Sequence, residues 1–96
     1  MKKGELALSA GSERAVRMLR ALANPARFRL AEILAERKDC TSAQLAEVVP
    51  LAQSSLFDHL AALREVGVVG TSGEGPHRAY CLNPAALDFL GAYLGG

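Results

Sequence analysis

Few side chains in this sequence have the type and spacing that bond-making chemistry needs. The cysteines, Cys40 and Cys81, stand 41 positions apart and form no CxxC pair. The histidines, His59 and His77, belong to no HExxH motif, and neither GxSxG nor a GxGxxG with a following ribose-binding acid occurs. Zinc needs three or four N, S or O ligands, and no single helix or helix pair here supplies such a set. The sequence therefore predicts no enzyme, no metal site and no cofactor. What remains is equipment for binding: the polar run Gln53, Ser54, Ser55, Asp58 and His59, and arginines spread along the chain.

What holds these residues must be small. With 96 residues the chain fits one domain, residues 1–96, with 1–11 expected to be a flexible segment. A chain of this size buries only roughly 60% of its unfolded surface, so a core shared with a partner would help it. Half the residues are hydrophobic and the net charge is +1, which excludes a disordered chain. No apolar run approaches the ~20 residues of a membrane span. Met1-Lys2-Lys3-Gly4-Glu5 is basic like a signal peptide, but only Leu6-Ala7-Leu8 follow it. A cytoplasmic protein is expected. A charge so near zero also argues against a domain that coats nucleic acid without specificity.

The punctuation is clear. Asn24-Pro25 and Asn83-Pro84 each pair a capping Asn with a Pro suited to the first helical turn. Thr41-Ser42-Ala43-Gln44 fits a capping box. Pro50 and Gly67 are stops, and Ser72-Gly73-Glu74-Gly75-Pro76 is a turn cluster. Between these marks apolar residues recur at helical steps over 12–23, 25–37, 42–48, 53–66 and 84–94. Residues 67–82 read instead as a β-hairpin around the glycine turn. The fold class is mainly α with a β-hairpin wing (α+β). Two of the helices flank the short turn Val49-Pro50-Leu51-Ala52, which makes a helix-turn-helix whose second helix suits a DNA major groove. The hairpin behind it is a wing, residues 70–79, so the architecture is a winged helix-turn-helix. In such a fold a short strand precedes the helix-turn-helix and pairs with the returning wing strand.

From Leu22 to Leu82 the chain resembles the ArsR/SmtB family of winged-helix repressors. Three pieces carry the resemblance in order: Ala21-Leu22-Ala23-Asn24-Pro25-Ala26-Arg27-Phe28-Arg29-Leu30, then Thr41-Ser42-Ala43-Gln44-Leu45-Ala46, then Gln53 through Val69. The resemblance implies a homodimer that binds double-stranded operator DNA of palindromic sequence and leaves it when an inducer, which the residues do not identify, arrives. The family's metal sites do not carry over. Thr41 and Ala43 occupy the positions of its Cys-x-Cys, and the last helix offers Asp88 but no His.

On this reading Gln53, Ser54, Ser55, Asp58 and His59 lie on the outer side of the recognition helix 53–66. Gln reads adenine, Ser meets base edges or phosphates, and Asp accepts from cytosine N4. Asp58 and Glu65 against Arg64 leave that helix at −1, so phosphate contacts must come from elsewhere. His77 and Arg78 on the wing are the expected source. Arg27, Arg29 and the series Arg14, Arg17 and Arg20 are further candidates, the series reading first as the wet side of an amphipathic helix. Ala52 gives the recognition helix no capping hydroxyl. Val16, Leu19 and Leu22 near the start and Leu87, Leu90, Tyr93 and Leu94 near the end are the expected dimer interface. Cys40 and Cys81 fall on strands expected to be adjacent, which makes them candidate sensor thiols for an oxidant, a persulfide or a thiophilic metalloid. Tyr80 and Leu82 read as core-facing, which turns Cys81 the other way. The alternative is a winged-helix module for protein–protein contact, with Phe57 and Asp58 as its signature.

Overall fold

The elements begin where the side chains at their starts dictate. The computed structural model describes residues 6–95, and among these it has five α-helices and three strands: α1 (Ala10–Leu22), α2 (Pro25–Arg37), β1 (Asp39–Thr41), α3 (Ser42–Val48), α4 (Gln53–Glu65), β2 (Val69–Ser72), β3 (Ala79–Leu82) and α5 (Pro84–Tyr93). Ser9 accepts from the Ser12 backbone N–H at the start of α1. Asn24 accepts from those of Ala26 and Arg27 at 2.9 and 3.2 Å. Thr41 and Gln44 form the reciprocal capping box expected of them, and Asn83 accepts from Ala85 N–H. α4 alone starts without a side-chain cap, at Ala52.

α4 stops at Gly67 for a reason visible in its hydrogen bonds. Gly67 adopts φ +80°, its N–H reaches the Arg64 carbonyl, and the Val68 N–H reaches that of Leu63. This is a Schellman motif, with buried Val68 covering Leu63. Asn83 holds the same corner from the other side. Its Nδ2 donates to the Gly67 carbonyl at 3.0 Å and its backbone N–H to that of Val68 at 2.8 Å. One residue thereby starts α5 and fixes the end of α4.

The sheet is antiparallel in the order β1-β3-β2. Cys40 lies opposite Tyr80, Asp39 opposite Cys81, and Gly70 opposite Cys81 from the other edge. Residues directly opposite share a face, and neighbours along a strand alternate. Cys40 and Tyr80 therefore face the core, where both are buried. Cys81 faces the other way with Asp39, as the core-facing reading of Tyr80 and Leu82 predicts. The expected adjacency of the strands is present, but the thiols stand on opposite faces of the sheet and both are free. A Cys40–Cys81 disulfide needs the two Cβ vectors to converge, and this register turns them apart.

The core is built from Leu30, Ile33 and Leu34 of α2, Leu56, Leu60 and Leu63 of α4, Leu45 of α3 and Met18 of α1. α1 carries two apolar stripes. Its inner face is Ala15, Met18 and Ala21, whereas Leu19 is 41% exposed and Val16 half-buried. Small alanines on that face let α1 lie close to its neighbours. Gly11 does the same against α5, because a Cβ there would collide with the Tyr93 hydroxyl. Leu90 and Leu22 depart from the expected interface: Leu90 is 6% exposed, within its own chain's core, and Leu22 packs against that core. The segment 1–11 is helical at its end, since α1 includes Ala10 and Gly11, and residues 1–5 lie outside the described ones.

Candidate nucleic-acid interface

α4 divides its residues among four directions. Leu56, Leu60 and Leu63 point inward. By helical spacing Ser54, Asp58, Ala61 and Glu65 form the opposite crest, and all four are exposed. Gln53 and Phe57 turn toward the wing. Ser55, His59, Ala62 and Val66 turn toward α1 and α2, and all four are half-buried.

The wing flank is a cleft of ≈ 370 Å³. Gln53 and Phe57 of α4, Ser42 and Ala43 at the start of α3, and Gly75, Pro76 and Arg78 of the wing line it. Two residues marked in the sequence, Gln53 and Arg78, are thus brought to one site. Phe57 joins them although the sequence reading counted it only as a signature of protein contact. It is 41% exposed, and its signal was its place one helical turn after Gln53. The wing tip that carries Arg78 is shaped by Gly73 and Gly75, both at positive φ, and by a turn of 3₁₀ helix at Gly75–His77. His77 is exposed on that turn.

The other flank differs from expectation. Ser55 and His59 are not on the outer crest. Arg27 Nε–H donates to His59 Nδ1 at 3.2 Å. An Nδ1 that accepts places the proton of the neutral ring on Nε2, which leaves that atom as the donor for an outside acceptor. The capping of α2 sets this contact up, because Asn24 accepts from the backbone N–H of Arg27 itself.

The series Arg14, Arg17 and Arg20 does not act as one face. Arg14 lies over the Phe89 ring, 4.2 Å from its centroid, and belongs to the packing of α1 on α5. Arg17 and Arg20 are exposed and line a cleft with Arg27. The N-terminus of α4 adds backbone donors, since no side chain satisfies its first N–H groups. Among the described residues no group of three His, Cys, Asp or Glu side chains is placed to hold a metal ion, and no helix is long and apolar enough to cross a membrane.

A polar crest on the second helix of a helix-turn-helix, flanked by a wing arginine, is the arrangement of a DNA-reading winged helix. The sequence pattern described as "Bacterial regulatory protein, arsR family" matches residues 24–71, half of the chain. The chain belongs to the ArsR family. Solved ArsR-like structures agree along most of its length. A possible transcriptional regulator for arsenical resistance is 33% identical, covers 82% of this chain and 81% of its own, and superposes with a TM-score of 0.73. NolR from Sinorhizobium fredii is 30% identical over 93% of each chain, with a TM-score of 0.71. HlyU from Vibrio cholerae N16961 is 29% identical over 90% of this chain and 94% of its own, with a TM-score of 0.74. Among curated proteins no match is found. The family and its solved members are transcriptional regulators, and this chain has their winged helix-turn-helix fold.

Proposed function

We propose that this ArsR-family protein is a homodimeric, cytoplasmic transcriptional repressor that holds a palindromic operator and releases it on sensing an inducer. The observation that carries this reading is the convergence of Gln53 and Arg78 on one cleft beside an exposed crest of Ser54 and Asp58. Gln53 supplies an amide that pairs with adenine, and Arg78 a cation for the backbone. The outward apolar residues Leu19, Leu87, Tyr93 and Leu94, between 37% and 66% exposed, support a second copy packed on α1 and α5. Two subunits then present their α4 helices about one helical turn, ~34 Å, apart on the DNA.

The test is operator binding as a function of salt. Arg78→Ala should weaken binding to every sequence and flatten the salt slope by about one. Gln53→Ala should cost about 1–3 kcal/mol on the operator and leave random DNA unchanged. Affinity insensitive to salt in the wild type would favour the alternative, a winged-helix module for protein contact in which Phe57 and Asp58 meet a partner protein.

The thiol placed for a route to induction is Cys81. Cys40 is buried, whereas Cys81 is half-buried and lines an outer groove of ≈ 290 Å³ with Lys38, Asp39 and Leu87. HlyU from Vibrio cholerae, one of the similar proteins, has been solved in a reduced form. The expectation is that hydrogen peroxide, which takes a single thiol to the sulfenic acid as its O–O bond breaks and water leaves, or a thiophilic metalloid lowers operator affinity in the wild type and in Cys40→Ser, and fails to do so in Cys81→Ser. An equal response in all three proteins would make both cysteines structural.

A further inference from the structure

On the flank of α4 away from the wing lies a second cleft, of ≈ 390 Å³, between α1, α2 and α4. Arg17 and Arg20 reach it from α1, Arg27 from α2, and Ala62, Glu65 and Val66 from α4. Three guanidiniums meet one carboxylate there, a local charge of +2 in a chain whose net charge is only +1. None of the three is in an ion pair: among the described residues the one ion pair is Arg29–Glu32, elsewhere on α2. Ala62 and Val66 give the cleft an apolar wall, which reduces the screening of those charges by water.

Arg27 is held by its bond to His59 through Nε, so its terminal N–H groups remain for a ligand. A guanidinium fork matches the oxygens of a phosphate. The cleft also stands in a definite place. Ala62 and Val66, which line it, continue the Ser55–His59 side of α4 toward its C-terminal end, and the sugar–phosphate backbones run along both sides of a helix seated in a major groove ~12 Å wide. The wing arginine serves one side only.

We propose that this cleft is a phosphate-binding site, filled by a backbone phosphate of the operator on the side of α4 opposite the wing. The DNA source of that phosphate rests on the repressor reading. The site itself does not, because a free phosphate-bearing molecule would use the same guanidiniums.

Two arms separate the sources, both with the full-length protein. The first is the salt dependence of binding to operator and to random DNA. Arg20→Gln and Arg17→Gln replace exposed side chains, and circular dichroism verifies that both variants fold. Each should weaken both DNAs several-fold and make the slope shallower by about one. Glu65→Gln removes the carboxylate that lines this cleft and should tighten both several-fold. The second arm is calorimetry with inorganic pyrophosphate at fixed ionic strength. Pyrophosphate binding that Arg20→Gln abolishes, with unchanged DNA slopes, would assign the site to a free molecule. Unchanged slopes in all three variants together with no pyrophosphate binding would overturn the site. If Arg78→Ala still flattens the slope in that case, the DNA reading stands without it. If the wild type binds no DNA, that reading falls and the pyrophosphate arm still judges the cleft.

Discussion

The terminal pair α1–α5 and the reading helix α4 are packed on the same core, yet they differ in how many apolar faces they carry. α4 has one, Leu56, Leu60 and Leu63, and the remainder of its surface is polar or small apart from Phe57. α1 and α5 have two. Met18 and Leu90 face inward, while Leu19, Leu87 and Tyr93 face out. Charge divides the same way. α1 carries Arg14, Arg17 and Arg20 against Glu13, a balance of +2, and α4 stands at −1. On the proposed reading, the helix that would meet the bases has little attraction for phosphate of its own, so its neighbours would supply affinity and α4 would be left to discriminate.

The inner and outer faces of the terminal pair should separate most sharply under mutation. Leu90→Glu puts a carboxylate where the chain is 6% exposed. An unpaired buried charge costs several kcal/mol, a large share of the ~5–15 kcal/mol that stabilises a domain. Urea denaturation should find this variant largely unfolded. Leu94→Glu changes a residue 66% exposed and should leave the fold intact while sedimentation shows a monomer in place of a dimer. A folded Leu94→Glu dimer would remove this face from the interface.

Asp58 sharpens the contrast in charge. It stands on the crest of α4, exposed and with no ion pair among the described residues. A carboxylate about 4 Å from a phosphate in water costs roughly 1 kcal/mol. Asp58→Asn should tighten binding to random DNA by about that amount, read by fluorescence anisotropy. Loss of operator affinity instead would show that the carboxylate accepts from a cytosine.

The same contrast explains what the sequence made legible. Helix starts came from single side chains, and Asn24, Thr41 and Asn83 cap where their types predict. Gly67 ended α4 because the position requires φ +80°. The one-faced helix α4 gave its inner leucines correctly. α1 is the mixed case: of the residues expected at the interface Leu19 is exposed and Val16 half-buried, whereas Leu22 packs on the chain's own core, and the inner stripe Ala15, Met18 and Ala21 was not marked because alanines give a weak apolar signal. Ser55 and His59 were misplaced by about a quarter-turn, since the neighbour that claims His59 is Arg27, 32 residues away. Cys81 was turned correctly by the alternation of its strand. Strand adjacency alone suggested a thiol pair, which the register Cys40 opposite Tyr80 separates.

The smallest expected effect concerns the bare start of α4. Four helices have a side chain that accepts from their first N–H groups, and α4 has Ala52. A serine at an N-cap stabilises a helix by about 0.5–1 kcal/mol relative to alanine, so Ala52→Ser should raise the urea midpoint with no change in slope. The backbone already suits it, because Ala52 is extended at φ −60° and ψ 149° and its carbonyl accepts from Leu56 N–H. The gain should carry a functional cost. A helix N-terminus with free N–H groups attracts phosphate, and a serine oxygen would occupy the donors that α4 presents beside Gln53. Ala52→Ser is therefore expected to be more stable and to bind all DNA slightly more weakly, whereas Asn24→Ala, at a cap on the same core, should lose about 1 kcal/mol of stability. A variant that gained stability without any loss of DNA affinity would mean that the bare start of α4 faces solvent in the complex, and that its missing cap serves no contact.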